Sequence, residues 1–255
     1  MIVLALGDVV GSAGCDYIRA NLGRIKARYG ADITIANGEN SAKGNGVTPK
    51  SAQHLLDSGV DVITTGNHAL RRREIYDTFD SMECLIRPAN YHPTAPGRGM
   101  YIYDAPAFRL CVVNLQGLVY LHSLQSPFDC VDELLKKLDT PNIIVDFHAE
   151  ATAEKLCLGY YLDGQVSAVL GTHTHVPTAD ARILPGGTGY ISDLGMCGGR
   201  QSVLGVRAEL ALRRMRTGLP VRFEEEPEDV GLCGAVLDID EKSGKCRSIE
   251  SLVMV

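Results

Sequence analysis

The sequence has no run of about 18 consecutive apolar residues, the length that a transmembrane helix requires, so no membrane span is expected. The first apolar segment, residues 2–6, lacks a basic flank and meets Asp8 early, so a signal peptide is not expected. The 8 cysteines include no Cys-x-x-Cys pair, and most of them stand in apolar surroundings, as Cys111 and Cys157 do. This pattern favours reduced core thiols in a cytoplasmic protein.

An excess of positive charge is also missing. The chain has 25 Lys and Arg against 31 Asp and Glu, a net charge of −6, which disfavours an electrostatic binder of long nucleic acid. There is no Gly-x-Ser-x-Gly nucleophile elbow and no His-Glu-x-x-His zincin motif. The residues after His148 lack the Pro-Cys-x-x-Cys of zinc deaminases, and those after His175 lack the Asp-His of metallo-β-lactamases. These absences exclude several common hydrolase types.

What the chain does contain is an alternation of short apolar segments with helical patterns, which favours βαβ units and a largely parallel sheet. The expected strands are residues 2–6, 32–36, 60–65, 100–104, 110–115, 142–147, 166–170 and 189–193. The expected helices are residues 15–28, 49–58, 128–138, 150–162 and 206–216, with one more opened by Arg71, Arg72 and Arg73. Late antiparallel strands are expected at residues 221–224, 233–239 and 248–253. No repeat or long linker interrupts the chain, so one domain over residues 1–255 is expected.

Glycine-rich stretches are interpreted as turns and loops. Gly7, Gly11 and Gly14 fit neither a dinucleotide-binding loop nor a Walker loop, and they predict a tight turn that exposes Asp8. Residues 195–199 predict a loop. Residues 224–226, three glutamates, predict a solvated edge.

Five apolar segments end in residues that are typical metal ligands. These residues are Asp8, Glu39 with Asn40, Asn67 with His68, His148, and His173 with His175. In an open α/β sheet, ligands bind outside the carboxyl ends of the strands, so these side chains meet in one crevice if the strands are neighbours. Two histidines at i and i+2 on an extended backbone point to the same side. Turn preferences explain an aspartate or an asparagine singly, but not three histidines and a glutamate at the same position.

The composition of this ligand set narrows the chemistry. It has no cysteine, which argues against structural zinc, and it exceeds the needs of one ion. Two ions of intermediate hardness, such as iron, manganese or zinc, suit it, and Glu39 is a natural bridge between them. Two ions about 3.5–4 Å apart can hold a bridging hydroxide and clamp a phosphate. His68 is interpreted as a proton donor to the leaving oxygen, with packing against the site as the alternative.

The motifs also resemble a known family. They occur in order as Gly7-Asp8, Gly38-Glu39-Asn40, Gly66-Asn67-His68, Asp146-Phe147-His148-Ala149-Glu150-Ala151 and Gly171-Thr172-His173-Thr174-His175. Together they resemble the calcineurin-like metallophosphoesterases and, in detail, the bacterial YmdB family of 2′,3′-cyclic-nucleotide 2′-phosphodiesterases. The resemblance implies an α/β fold, a four-layer α/β/β/α sandwich of the metallophosphoesterase type, and a homo-oligomer.

The resemblance further implies a dinuclear site with His68 as the proton donor. It assigns Asp8, Glu39, Asn40 and His175 to one ion, and Glu39, Asn67, His148 and His173 to the other. The chain departs from the family after His68, where Ala69 and Leu70 replace an expected Trp-Asp and the whole sequence contains no tryptophan. Residues 118–127 are also unusual. Both departures concern the approach of substrate, and the metal ligands are unchanged.

The leading hypothesis is a dinuclear metal-dependent phosphodiesterase, with iron, manganese or zinc, that acts on small nucleotides such as 2′,3′-cyclic nucleotides. A phosphomonoesterase of the same fold is the alternative among enzymes. A non-catalytic metal- or nucleotide-sensing regulator is the alternative of a different class. Hydrolysis of 2′,3′-cyclic AMP compared with 2′- and 3′-AMP separates the two enzymes, and tight binding without hydrolysis indicates the regulator.

Overall fold

The computed structural model describes residues 1–122 and 125–255; Ser123 and Leu124, part of the unusual segment 118–127, lie outside the described residues. Within the described part the strands are β1 (Ile2–Val9), β2 (Ile33–Asn37), β3 (Val62–Thr64), β4 (Met100–Asp104), β5 (Arg109–Gln116), β6 (Ile143–His148), β7 (Ala168–Thr172), β8 (Arg182–Ile183), β9 (Gly189–Ile191), β10 (Met196–Gly199), β11 (Ser202–Val203), β12 (Val206–Arg207), β13 (Val230–Ile239) and β14 (Cys246–Met254). The α-helices are α1 (Gly11–Tyr29), α2 (Pro49–Asp57), α3 (Tyr76–Ser81), α4 (Pro127–Leu135), α5 (Thr152–Tyr161) and α6 (Ala208–Thr217), and a 3₁₀ turn covers Arg73–Ile75.

The strands form two mixed six-stranded sheets and one small hairpin within the described residues. The first sheet has the order β14-β13-β10-β1-β2-β3, and the second has the order β4-β5-β6-β7-β9-β8. Parallel pairing joins β10, β1, β2 and β3 in the first sheet and β5, β6, β7 and β9 in the second. The hairpin pairs β11 with β12. All five residues of β2 and all six of β6 are buried, as expected for strands covered on both faces.

Alternation along the strands produces four layers. In β1, Val3 packs between the two sheets, whereas Leu4 packs with Ile18 of α1 on the outer face of the first sheet. In β5, Val112 lies between the sheets, and Val113 packs with Leu158 of α5 on the outer face of the second sheet. Successive side chains of a strand point to opposite faces, so each sheet separates a shared inner core from a layer of helices. The expected α/β/β/α sandwich is confirmed.

The start of α2 follows local sequence signals. Thr48 accepts a hydrogen bond from the backbone N–H of Ser51, the Ser51 side chain accepts one from the backbone N–H of Thr48, and Pro49 occupies the first turn. This reciprocal cap satisfies backbone donors that the helix leaves free, as expected from the position of the proline.

The start of α1 does not follow local signals. Val10 provides no side-chain cap, and the carboxylate of Glu225, 213 residues away, accepts hydrogen bonds from the backbone N–H and hydroxyl of Ser12 at 3.1 and 3.3 Å. A Cβ at Gly11, where φ is +61°, would lie 1.1 Å from Glu225 Oε2, so only glycine admits this carboxylate. Because α1 begins at Gly11, the expected turn at Gly11 and Gly14 is wrong. The expected solvated edge at residues 224–226 is wrong for Glu225, whose carboxylate contacts Ser12.

The predicted exposure of Asp8 is also wrong. The strand β1 continues past residue 6 to Val9, and Asp8 lies within it with 0% exposure. A shift in the pairing with β2 between Leu6 and Asp8 marks an irregularity at this point.

Three further predictions fail because tertiary contacts decide the conformation. Residues 195–199 contain β10, which pairs in parallel with Asp8 and Val9 of β1, where a loop was expected. Residues 221–224 do not form a strand, where one was expected. Next to them, Glu225 forms an isolated bridge with Val206. Arg71 and Arg72 precede the 3₁₀ turn, which begins at Arg73.

All eight cysteines are free thiols, but Cys157 is exposed and does not belong to the core. It lies in α5 beside Leu158, which faces the second sheet. Its sequence neighbours are apolar, but the helical period turns Cys157 to the solvent side. Across residues 1–122 and 125–255, none of the helices combines the length and the apolar character needed to cross a membrane.

Candidate metal centre

The candidate ligands gather where the carboxyl ends of the two sheets meet. Asp8, Glu39 and Asn67 lie at the ends of strands or in the loops after strands of the first sheet. His148 ends β6, and His173 follows β7, both in the second sheet. The expected crevice therefore exists, but it is shared by two facing sheets and is not formed by neighbouring strands of one sheet.

Three of the side chains converge closely on one imidazole nitrogen of a fourth. His148 Nε2 lies 3.1 Å from Glu39 Oε1, 3.0 Å from Asn67 Oδ1 and 3.0 Å from His173 Nδ1. Glu39, His148 and His173 form a group that could hold a metal ion. We call Glu39, Asn67, His148 and His173 the His148 group.

The remaining three ligands, Asp8, Asn40 and His175, which we call the His175 group, are spaced more widely. His175 Nε2 lies 3.2 Å from Asn40 Nδ2 and 3.7 Å from Asp8 Oδ1. Asn40 Nδ2 also lies 3.2 Å from Glu39 Oε1, so Glu39 adjoins both groups. Coordination by Asn40 would require its Oδ1, which in the structure faces His68 Nδ1 at 3.1 Å, and the amide would have to turn.

An unsatisfied oxygen in this group fits a cation. Asp8 Oδ1 is buried and has no hydrogen-bond partner within the described part of the chain. A buried carboxylate oxygen without a donor is costly, and a metal ion would compensate it. Asp8 Oδ2 accepts a hydrogen bond from the backbone N–H of His173 at 3.1 Å, so the same carboxylate connects the two groups. Together with the all-nitrogen-and-oxygen donor set, this arrangement fits ions of intermediate hardness.

The two histidines after β7 do not lie on an extended backbone. His173 and His175 have φ values of 104° and 66°, in the left-handed region, so the expected i, i+2 strand geometry is wrong. Non-glycine residues adopt such angles at a cost and are held there by surrounding contacts. The backbone N–H of Thr174 donates to Asp193 Oδ2 at 3.0 Å, and Asp193 forms a fully buried ion pair with Lys155 at 2.7 Å.

His68 lies at the rim of the site. Its backbone N–H donates to Glu39 Oε2 at 3.0 Å, and its Nδ1 lies 3.1 Å from Asn40 Oδ1 and 3.3 Å from Glu39 Oε1. The side chain is 23% exposed, so it remains accessible to a ligand in the crevice. Arg72, by contrast, donates to the backbone carbonyls of Lys43 and Asn45, which ties it to a loop.

Burial and mutual charge shift the protonation of the site. Burial raises the pKa of Asp8 to about 6, against the opposing pull of His175 and His148. Burial also acts to raise the pKa of Glu39, but His148 and His68 hold it well below its ordinary value. Burial acts to lower the pKa of His148, but the charges of Glu39 and Asp8 raise it to about 9. Burial and then the charge of His148 lower the pKa of His173 to about 3. Glu39 and His148 therefore stabilise each other's charged forms, and His148 must release a proton before its Nε2 can bind a metal ion.

A family model described as YmdB-like protein matches residues 4–252. The chain belongs to the YmdB-like family. A Bacillus subtilis relative named 2′,3′-cyclic-nucleotide 2′-phosphodiesterase is 46% identical over 256 residues, which are 100% of this chain and 97% of that protein. A solved structure described as a novel phosphatase from Mycoplasma pneumoniae superposes with a TM-score of 0.95 at 35% identity, over 100% of this chain and 93% of the other.

A more distant solved structure shows the fold alone. An NAD nucleotidase from Haemophilus influenzae superposes with a TM-score of 0.57 at 10% identity, over 100% of this chain and 56% of the other. The Bacillus subtilis and Mycoplasma pneumoniae relatives are both named as hydrolases of phosphate esters.

Several residues around the centre of this YmdB-like protein were not identified as functional from sequence. His175 Nδ1 contacts the backbone carbonyl of Leu204 at 3.0 Å, and His173 Nε2 contacts Glu150 Oε2 at 2.8 Å. Glu150 lies in one of the motifs that resemble the family, but the sequence indicated no role for its side chain. Leu204, Lys155 and Asp193 lie outside the motifs that contain the ligands, and no pattern pointed to them.

Gly66 packs directly against the imidazole ring of His148. A Cβ at Gly66 would lie 2.1 Å from His148 Cδ2 and 2.4 Å from its Nε2. The glycine before Asn67 therefore lets the backbone of the first sheet reach the imidazole of the second.

Proposed function

We propose that this protein is a metal-dependent phosphodiesterase that hydrolyses small nucleotides, such as 2′,3′-cyclic nucleotides, with two metal ions in its site. The supporting observation is the convergence of Glu39 Oε1, Asn67 Oδ1 and His173 Nδ1 within 3.1 Å of His148 Nε2. The 46% identity to the Bacillus subtilis phosphodiesterase supports the choice of reaction.

In this proposal Glu39 is shared by the two ions. Glu39, Asn67, His148 and His173 would hold one ion, and Glu39, Asp8, Asn40 and His175 would hold the other. Iron and manganese suit the donor set best, and zinc is compatible with it. Such ions, when bound, lower the pKa of water and neutralise charge on a phosphate.

The chain itself supplies a proton at His68. The Nδ1 of His68 lies 3.1 Å from Asn40 Oδ1 and 3.3 Å from Glu39 Oε1, so Glu39 can still orient the ring when Asn40 turns to bind a metal ion. The Nε2 of His68 has no hydrogen-bond partner among residues 1–122 and 125–255, and it is free to give a proton to the leaving oxygen. An imidazole suits this role because its ordinary pKa lies near neutrality.

A cavity beside the centre offers space for the rest of a nucleotide. It has a volume of about 250 Å³ and is lined by residues that include His175, Pro177, Met196 and Met254. Because His175 belongs both to this wall and to the candidate metal centre, a group bound in the cavity would remain close to the reacting phosphate.

The first test is an assay of metal-stripped protein on 2′,3′-cyclic AMP, with and without Mn²⁺ or anaerobic Fe²⁺. Metal-restored hydrolysis that is missing in Glu39→Gln supports the proposal, because that variant removes the shared carboxylate. Full hydrolysis in the metal-stripped protein, or in Glu39→Gln, contradicts it.

A phosphomonoesterase is the second candidate, and the similarity to a Mycoplasma pneumoniae structure described as a phosphatase favours it. The same assay on 2′-AMP and 3′-AMP separates the two functions. Faster turnover of the monoesters than of 2′,3′-cyclic AMP would replace the diesterase with the monoesterase.

A second substrate pair tests His68 as the proton donor. His68→Ala should lose about a hundredfold in kcat on 2′,3′-cyclic AMP, since general acid catalysis contributes on this scale. Bis(p-nitrophenyl) phosphate has a leaving group that needs no proton, so the same variant should lose little there. Equal losses on both substrates would assign His68 to binding or packing.

The remaining expectations stay predictions. The eight free cysteines support a reducing, cytoplasmic location, and the charge of −6 supports a small nucleotide over a long nucleic acid. A single domain over residues 1–255 and a homo-oligomer are carried by the sequence and by the family resemblance.

A further inference from the structure

A buried polar network lies beneath the candidate metal centre, between the two sheets. Its members are Asn37, Thr64, Asp146, His148 and Thr172, which are all at most 4% exposed. Asn37 and Thr64 end two strands of the first sheet, whereas the others belong to β6 and β7 of the second. The four members other than His148 belong to neither the His148 group nor the His175 group, so metal binding by their own side chains does not explain their burial.

The carboxylate of Asp146 is the acceptor at the centre of this network. Its Oδ2 accepts from Asn37 Nδ2 at 3.3 Å and from the hydroxyl of Thr64, and its Oδ1 accepts from the hydroxyl of Thr172 at 2.7 Å. The amide nitrogen of Asn37 can only donate, and the hydroxyls of Thr64 and Thr172 donate to the same carboxylate. A buried carboxylate is tolerated where several donors satisfy it.

Thr172 connects this carboxylate to a candidate metal ligand. Its hydroxyl oxygen lies 3.0 Å from His148 Nδ1, and the backbones of the two residues pair in the parallel ladder of β6 and β7. A hydroxyl has one proton, and Asp146 Oδ1 receives it. The oxygen of Thr172 is therefore an acceptor toward His148, and His148 Nδ1 carries a proton.

This assignment decides what the other ring nitrogen can do. With one proton fixed on Nδ1, it is Nε2 that releases its proton when a metal ion binds, and its lone pair then points toward Glu39, Asn67 and His173. Metal-bound histidines generally donate their second ring N–H to a fixed acceptor, which orients the ring and makes the ligand nitrogen more basic. The chain Asp146–Thr172–His148 has this form, with a hydroxyl inserted between the carboxylate and the imidazole.

We propose that Thr172 and Asp146 are positioning residues that hold the ring of His148 so that its Nε2 faces the metal. The inference rests on the proposed function only in that His148 binds a metal ion. Thr172 and Asp146 lie outside the ligand set, and in this role the buried network supports the metal centre as well as joining the sheets.

The test measures the affinity of metal-stripped protein for Mn²⁺ by calorimetry, in the wild type and in Thr172→Val. Valine matches the shape of threonine but cannot accept from His148 Nδ1 or donate to Asp146. The affinity of the tighter site should fall about 10- to 100-fold, as is typical when such supporting contacts are removed. Thr172→Ser, which restores the hydroxyl, should recover an affinity close to that of the wild type.

A matched control is available in the same sandwich. Thr34 of β2 is 0% exposed, and its hydroxyl has no hydrogen-bond partner among the described residues. Thr34→Val makes the same chemical change at a buried strand position and should leave the affinity for Mn²⁺ unchanged. Equal affinities of Thr172→Val and the wild type would overturn the inference, even if Thr172→Val lowered the melting temperature.

A measurement on the unmutated protein covers the case in which Thr172→Val fails to fold. In Zn²⁺-loaded protein labelled with ¹⁵N-histidine, the spectrum of His148 should show a protonated Nδ1 and a metal-bound Nε2. A proton on Nε2 in the loaded protein would overturn the inference. Wild-type protein that binds no Mn²⁺ or Zn²⁺ would instead contradict the proposed function, so the two failures are distinguishable.

Discussion

The two halves of the candidate centre differ in how closely their atoms are held. In the His148 group, three contacts of 3.0–3.1 Å meet at one nitrogen, and Thr172 accepts from the opposite side of the ring. In the His175 group, His175 Nε2 is 3.7 Å from Asp8 Oδ1, and that oxygen has no partner among the described residues. The first half is preorganised by a network from both sheets, whereas the second must rearrange at Asn40 to bind.

The two groups should differ in their affinity for a metal ion. A preorganised site loses less free energy in ordering its ligands, so the His148 group should bind its ion more tightly than the His175 group. The expected order of loading is therefore the His148 group first. Glu39 belongs to the first group and contacts the second.

The largest effect is expected where both halves are broken at once. Glu39→Gln removes the shared carboxylate, and kcat/KM on 2′,3′-cyclic AMP should fall about a thousandfold or more, equivalent to roughly 4 kcal/mol. Metal content measured by elemental analysis should fall with it. Glu83→Gln is the matched control, because Glu83 is 62% exposed and forms a surface ion pair with Arg98. Similar losses in both variants would remove the special position of Glu39.

A matched pair of histidine variants separates the halves. His148→Asn should abolish the tighter Mn²⁺ site, whereas His175→Asn should leave one tight ion and weaken only the second by about 10- to 100-fold. Calorimetric titration of the metal-stripped proteins gives both stoichiometry and affinity. Retention of one tight site in His148→Asn, with its loss in His175→Asn, would reverse the proposed order.

The close approach of the two sheets at His148 can be broken without touching a ligand. Gly66→Ala places a methyl group 2.1 Å from His148 Cδ2, and the resulting overpacking should cost about 2 kcal/mol of unfolding free energy. The affinity of the tighter site should fall as well. Gly23→Ala in α1 is the control, since a Cβ there meets nothing within 4 Å and should stabilise the helix by about 0.5–1 kcal/mol. Thermal unfolding checks both, and a harmless Gly66→Ala would show that the backbone yields at this point.

The smallest expected effect is a difference in pH dependence between the halves. Metal binding requires an unprotonated His148 Nε2, whose pKa is raised to about 9, and an ionised Asp8, whose pKa is raised to about 6. The affinity of the His148 group for Mn²⁺ should therefore keep rising up to about pH 9. The affinity of the His175 group should stop rising above about pH 6, where Asp8 is ionised. Calorimetry between pH 5 and 9 measures both, and parallel curves would contradict the distinction.

The raised pKa of Asp8 also makes the stability of the metal-free protein depend on pH. Because the pKa of Asp8 is raised from 3.8 to about 6 on folding, its protonated form contributes stability that is fully present below pH 3.8. That contribution is lost as the pH rises through about 6. Asp8→Asn should remove this loss in the metal-stripped protein, which thermal unfolding across the same pH range would show.

Much of the fold was predictable because its signals are local. Apolar segments of four to six residues, separated by helical patterns, identified the parallel strands, and Pro49 identified the first turn of α2. The failures share one cause. Residues 195–199 form a strand only because β1 and β13 lie beside them, and Glu225 caps α1 from 213 residues away.

The sequence by itself determined the kinds of ligand and their places at the ends of strands, since residue type and hydrophobic pattern are properties of the chain. The family motifs carried the same information. Only the tertiary structure decided that the ligands come from two facing sheets, that His173 and His175 adopt left-handed angles, and that Asp146 and Thr172 support His148. Those features depend on contacts between residues far apart in the chain, where packing and hydrogen bonds outweigh local preference.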